Sequence, residues 1–159
     1  MGTSAVIQFC EKKKLKEVLQ IHNDYRKIHS SPPLILNDAL SKIAEEIANH
    51  LINDKNDNLD DSLFIYKNHP LGVNIYTNKN HKSPEEICKE WYNENKNYKY
   101  DIDKFQKNTI HFTQMVWKNT KEVGFVFTTK KGKKCCGIAL YYPAGNIFDE
   151  YKENVIKPK

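Results

Sequence analysis

An α+β fold, with helices packed against an antiparallel sheet, is what this chain predicts, and three observations carry the prediction. Apolar residues recur at helical spacing early in the chain, as Leu15, Val18, Leu19, Tyr25 and Ile28 and again as Leu40, Ile43, Ala44, Ile47, Ala48 and Leu51. Two runs rich in β-branched and aromatic residues, VGFVFTT and CCGIALYY, flank the turn KKGKK around Gly132. No repeat and no second domain is visible in the 159 residues, a length that suits one core, so a single domain over 1–159 is expected.

In chain order, the first helix covers residues 13 to 29. SSPP at 30 to 33 ends it, because proline supplies no N–H and restricts the residue before it. The second helix follows Asn37 and carries the cleanest apolar stripe of the chain. NDKNDNLDDS at 53 to 62 is a polar loop. Its acidic spacing suggests a calcium loop, but no glycine stands at the turn position and Ile65 occupies the place of the bidentate glutamate, so calcium is excluded. LGVNIY at 71 to 76 reads as a short strand. Ser83, Pro84 and Glu86 give the third helix a capping serine, a proline at its first position and a capping box. Ile87, Trp91 and Glu94 then share one face of it. Asn108 or Thr109 caps a fourth helix that runs through Trp117, and PAGN at 143 to 146 ends the last strand.

Composition bounds the function more loosely. The net charge of +5 and pI near 8.9 are compatible with an anionic membrane surface or nucleic acid, although a solvated lysine-rich surface explains them as simply. No apolar run reaches the length of a membrane-spanning helix, and the lysines near the start follow the apolar patch instead of preceding it, unlike a secretory signal. Cys10, Cys88, Cys135 and Cys136 lack metal-type spacing and read as reduced thiols of a cytosolic protein.

The candidate chemistry gathers on His111, Glu94 and His69. Two imidazoles and a carboxylate can hold Zn²⁺ with water in the open position, or run acid–base chemistry. Their wide separation in sequence makes spacing alone a weak signal; taken singly, each is more often a satisfied polar group. No G-x-S-x-G turn, protease-type cysteine, phosphate-binding glycine loop or ordered aromatic platform for nucleic acid is present, so no nucleic-acid partner is expected.

Four stretches together resemble the CAP superfamily of cysteine-rich secretory, antigen 5 and pathogenesis-related 1 proteins. HFTQMVWKNT (111 to 120) and YYPAGN (141 to 146) match its two signatures; HNDYR (22 to 26) and EWYNENKNY (90 to 98) match supporting elements. The likeness covers essentially the whole chain and is greatest to the intracellular, Golgi-associated branch that lacks disulfides. It implies an α-β-α sandwich of the CAP (SCP/TAPS) type with a central antiparallel sheet and a cavity of two His and two Glu. His111 and Glu94 match two members, and His69 is expected as the second histidine. Val73 stands where the fourth, a glutamate, should be. With His69 and His111 as the metal pair, binding of zinc or another divalent ion is expected to be weak, because valine can neither accept a proton nor orient an imidazole.

The resemblance further implies a protein with no catalytic residue that binds sterol or fatty acid and attaches peripherally to anionic membranes, at the Golgi or elsewhere in the cytoplasm. Gly2 is the candidate lipidation site, although Val6 replaces the Ser or Thr that N-myristoylation prefers. Two alternatives stand beside this one: a metal-dependent hydrolase or protease built on the His pair, and a protein-interaction module acting as a homodimer.

Overall fold

The computed structural model describes residues 8–53, 60–129 and 134–159. Gly2, Val6 and the Gly132 turn lie outside these residues, as does most of the polar loop at 53 to 62. In order, the elements are α1 (Lys12–Ile28), β1 (Ile35–Leu36), α2 (Asp38–Asn53), β2 (Ile65–Tyr66), β3 (His69–Pro70), β4 (Gly72–Asn78), α3 (Pro84–Asn93), α4 (Ile110–Val116), β5 (Glu122–Phe127), β6 (Cys135–Tyr142) and α5 (Tyr151–Asn154).

The predicted starts of α2 and α3 act as read, whereas Thr109, at the start of α4, makes no capping bond with its side chain and donates to the Gln106 carbonyl instead. Asn37 Oδ1 accepts from Ala39 N at 2.9 Å and Leu40 N at 3.3 Å, satisfying donors that the first turn of α2 leaves unpaired. Ser83 Oγ accepts from Glu86 N at 3.2 Å, with Pro84 just inside α3. After Asn93 the chain tightens into a 3-10 turn, Glu94–Asn97, which turns Glu94 out of the regular helix. The acidic residues before β2 have a local role: Asp60 accepts from Ser62 N at 3.0 Å and starts the 3-10 turn Asp61–Phe64.

The main sheet runs β1-β5-β6-β4. β5 pairs antiparallel with β6, as predicted, and β4 pairs antiparallel with the other edge of β6, but β1 joins β5 in parallel, so the sheet is mixed. Two residues cannot display the alternation by which a strand is recognised, and β1 was invisible for that reason. The same holds for the two-residue strands β2 and β3, which form a separate antiparallel ribbon.

Strand alternation sends neighbouring side chains to opposite faces. Val126, Cys136, Ile138 and Leu140 meet Leu40, Ala44, Ile47 and Ala48 of α2 in one core cluster. Val123, Phe125, Phe127, Ala139 and Tyr141 meet α1, α3 and α4 in the other. The sheet is thus covered by helices on both faces, an α-β-α sandwich. Gly124 allows the close approach of α2: a Cβ there would stand 2.3 Å from Ser41 N. At Gly72 the space of a Cβ is taken by the Gln114 side chain, whose Oε1 would stand 2.0 Å away.

Candidate functional site

Glu94 and His111 come together. His111 Nδ1 lies 2.7 Å from Glu94 Oε2, and Glu94 Oε1 accepts the backbone N–H groups of His111 at 2.9 Å and Phe112 at 3.0 Å. Helix α4 begins at Ile110, so these are donors of its first turn, which have no partner within the helix. The carboxylate therefore caps α4 from a distance and favours the positive end of its dipole. Trp91, on the last turn of α3, stacks on the imidazole with ring centroids 5.9 Å apart and planes 9° apart. The Glu94 and His111 side chains remain 21% and 29% exposed, so the pair opens on the surface.

His69 does not join them. It sits exposed on the β2–β3 ribbon, opposite Tyr66, and the ribbon packs through Leu63, Phe64 and Tyr66 on the α2 cluster. Among the described residues no group of three or more His, Cys, Asp or Glu is placed to hold a metal ion. Val73 also lies elsewhere than the tetrad reading places it. Its side chain packs into the α2 cluster, and the next residue, Asn74, turns towards α4. The donor set that zinc prefers, three or four protein ligands, is thus not assembled around His111. With Nδ1–H given to Glu94, His111 offers Nε2 as one lone pair. Two open surface hollows lie elsewhere: Glu46, Asn49, His50 and Asn53 line one, and Cys10, Lys14 and Thr129 border the other.

Sequence reading missed the support behind the pair. Asn74 Nδ2 donates to the His111 carbonyl at 3.1 Å and lies 3.3 Å from the Tyr141 hydroxyl. His22 Nδ1 lies 3.2 Å from the Val18 carbonyl, which can only accept, so Nδ1 carries the proton. Nε2 then accepts from the Tyr141 hydroxyl at 2.7 Å. Burial holds this imidazole neutral, its pKa lowered to about 3. The strand alternation of Gly72–Asn78 was the signal available for Asn74, since it places Asn74 and Val73 on opposite faces.

Arg26 of the HNDYR element is fully buried, with no acidic partner among the described residues. Its guanidinium donates to the carbonyls of Pro32, Met115, Trp117 and Thr120 at 2.8 to 3.0 Å. Desolvation lowers its pKa to about 10. The fork thereby ties the end of α1 to both the C-terminus of α4 and the turn that follows it.

A third feature is apolar. Phe148 is 77% exposed, Phe105 62%, and Ile110 and Ile147 38% each. Three segments carrying them are tied together. Asn146 Nδ2 donates to the Ile110 carbonyl at 3.0 Å, and Asp103 Oδ1 accepts from Tyr151 N at 2.8 Å and Lys152 N at 3.2 Å. The Thr109 hydroxyl closes the set on the Gln106 carbonyl at 2.6 Å. Ile110 precedes His111 directly, so this rim borders the Glu94–His111 pair.

Buried His22 and Arg26 and the capped helix α4 all lie in the stretches that the sequence singled out, HNDYR and HFTQMVWKNT. The family model described as CAP, the cysteine-rich secretory protein family, matches residues 19–141, and the chain belongs to that family. Among curated proteins it is similar to human Golgi-associated plant pathogenesis-related protein 1, 35% identical over 167 residues that cover all of this chain and 99% of the relative. It is also similar to PRY2 of Saccharomyces cerevisiae, 32% identical, with 85% of this chain covered but only 39% of that protein. Among solved structures, venom allergen-like protein 4 of Schistosoma mansoni superposes with a TM-score of 0.69 at 24% identity, covering 91% of this chain and 94% of that one. NaASP2, solved with Zn²⁺, superposes with a TM-score of 0.70 at 17% identity, covering 94% and 87%. These last two bear on the fold alone. Among the described residues no helix is long and apolar enough to cross a membrane.

Proposed function

We propose that this CAP domain is a non-enzymatic lipid-binding module that attaches peripherally to membranes, with sterol or fatty-acid chains as its ligands. The observation that carries the reading is the exposed rim of Phe105, Ile110, Ile147 and Phe148. Large apolar side chains exposed on the loops and at the start of α4 favour an apolar environment over water. Burying one fully contributes about 1.5–3 kcal/mol, so two phenylalanines alone offset a substantial part of the cost of ordering at a surface. Lys104, Lys107 and Lys152 flank these tips together with Asp103, Asp149, Glu150 and Glu153, so attraction to an anionic surface rests on the +5 that the chain carries overall. Each lysine near an anionic surface adds about 1 kcal/mol.

Chemistry at Glu94 weighs against the hydrolase alternative. Its two oxygens already serve two backbone N–H groups and the His111 ring, so it is not free to take a proton from water. Metal enters this reading only as a weak ligand of His111 Nε2, with no catalytic step attached.

Liposome co-sedimentation tests the proposal, using neutral vesicles and vesicles containing anionic lipid at low and high salt. Binding to anionic vesicles that salt weakens but does not abolish is expected, because the apolar contribution is not screened. Failure to sediment with either vesicle would overturn the proposal.

A further inference from the structure

The segments that carry the apolar rim, 103–110 and 145–153, hold three lysines against the four acids Asp103, Asp149, Glu150 and Glu153. Their net charge is −1, so the positive excess of the chain lies on other surfaces. Asp149 and Glu150 directly follow Phe148, the most exposed ring of the rim. A carboxylate is costly to take out of water, so these two limit how deeply the ring enters an apolar layer. The rim is also set before any contact. Asp103 holds the backbone of Tyr151 and Lys152 on one side of Phe105. On the other side Gln106 closes on Lys99, accepting from its N–H at 2.8 Å and donating to its carbonyl at 2.7 Å. Asn146 joins the Ile147–Phe148 segment to α4, donating to the Ile110 carbonyl and accepting from the Thr113 hydroxyl. Side chains on a backbone held this way lose little freedom on binding.

We infer that the rim reads lipid packing rather than lipid charge, and that its partner is a strongly curved, loosely packed membrane surface of low charge. The inference rests on the lipid-binding reading above and names the kind of membrane that reading leaves open. A rigid, shallow wedge cannot spread to suit the lipids, so the lipids must make room for it. In a flat, tightly packed leaflet that means separating headgroups. In the outer leaflet of a strongly curved membrane the headgroups are already splayed, and hydrocarbon lies within reach of Phe105 and Phe148. Interfacial surfaces bind through buried apolar area and through attraction to anionic lipid, and they respond to curvature and composition. Here the rim supplies the apolar area, while its four acids offset the attraction that its three lysines exert. Curvature is then the variable to which this surface responds most.

Co-flotation of the full chain at physiological salt tests it. The vesicles are sonicated small ones of phosphatidylcholine, extruded ones of the same lipid several times larger, and extruded ones that contain phosphatidylserine. Several-fold more protein per accessible lipid is expected on the small phosphatidylcholine vesicles than on the large. Phe148→Ser is expected to weaken binding to the small vesicles about tenfold, the lower end of what burying the ring contributes. Asp149→Asn combined with Glu153→Gln makes the net charge of the rim positive, and is expected to raise binding to the phosphatidylserine vesicles. Circular dichroism checks that both variants remain folded. Equal binding to the two sizes of phosphatidylcholine vesicle overturns the inference and leaves lipid binding standing. So does binding confined to phosphatidylserine, a size preference that Phe148→Ser leaves intact, or a double variant that gains nothing on the anionic vesicles. Absence of binding to every vesicle overturns the inference and the lipid-binding reading together.

Discussion

The two faces of the sheet are built on different principles. On the α2 face the contacts are those of aliphatic side chains, Leu40, Ile47, Val126, Ile138 and Leu140 among them, all at most 2% exposed. On the α1–α3–α4 face, equally buried apolar groups surround His22, Arg26, Asn74, Gln114 and Tyr141, each joined by directional bonds. Non-directional packing tolerates adjustment; a hydrogen-bonded core fixes positions, and it loses more when one member is deleted. The face that carries Glu94, His111 and the apolar rim holds its backbone with a network of such bonds, where the α2 face contributes the Ser41 hydroxyl, accepting from Phe125 N at 3.0 Å.

Deletions on the two faces sharpen that contrast. Arg26→Met leaves the carbonyls of Pro32, Met115, Trp117 and Thr120 without this donor. At about 1–3 kcal/mol for each buried unpaired group, the loss should exceed about 4 kcal/mol in urea denaturation. Ile47→Ala on the α2 face should cost about 2–5 kcal/mol, the usual price of a buried cavity, with its value set by how far the site relaxes. An Arg26→Met variant that unfolds no more easily than Ile47→Ala would remove the distinction.

Acid separates the faces next. His22 is held at about 3 when folded, against about 6.5 when free. The unfolded chain therefore binds this proton first, and the contribution is fully present above about pH 6.5. It is lost as pH falls towards 3, with a slope of up to about 1.4 kcal/mol per pH unit for this group. Burial lowers His29 as well, in the same direction. His22→Phe should flatten the dependence of urea midpoints on pH below 6, at a cost of about 1–3 kcal/mol at neutral pH because the Tyr141 O–H loses its acceptor. Ile47→Ala should leave the slope unaltered.

Smaller effects fall at the surface. Glu94→Gln should destabilise the domain by about 1–2 kcal/mol, since it weakens three hydrogen bonds and removes the charge at the start of α4. Phe148→Ser should change stability by less than about 0.5 kcal/mol, because the ring is exposed, yet lower sedimentation with vesicles.

Much of the frame was legible in the residues. The apolar stripe of α2, the Ser83–Pro84 start of α3 and the alternation of β5 and β6 are local patterns, and local physics decides them. The pairing of Glu94 with His111 came from the resemblance of two motifs, and the two side chains lie 2.7 Å apart. Longer-range features were not legible. β1 pairs in parallel across 87 residues of chain, from Ile35 to Glu122, and its two residues carry no periodicity. His69 precedes a turn whose direction depends on how the ribbon packs against α2. Val73 was aligned by motif, while strand alternation puts Asn74 on the α4 side instead.

Paramagnetic broadening by spin-labelled lipid in small bicelles addresses the central claim most directly, because it reads both faces in one spectrum. Resonances of Phe105, Ile110, Ile147 and Phe148 should be lost first, with those of Leu40, Ile47 and Val126 retained. Uniform broadening, or broadening centred on α2, would contradict the assignment of the rim as the lipid-facing surface.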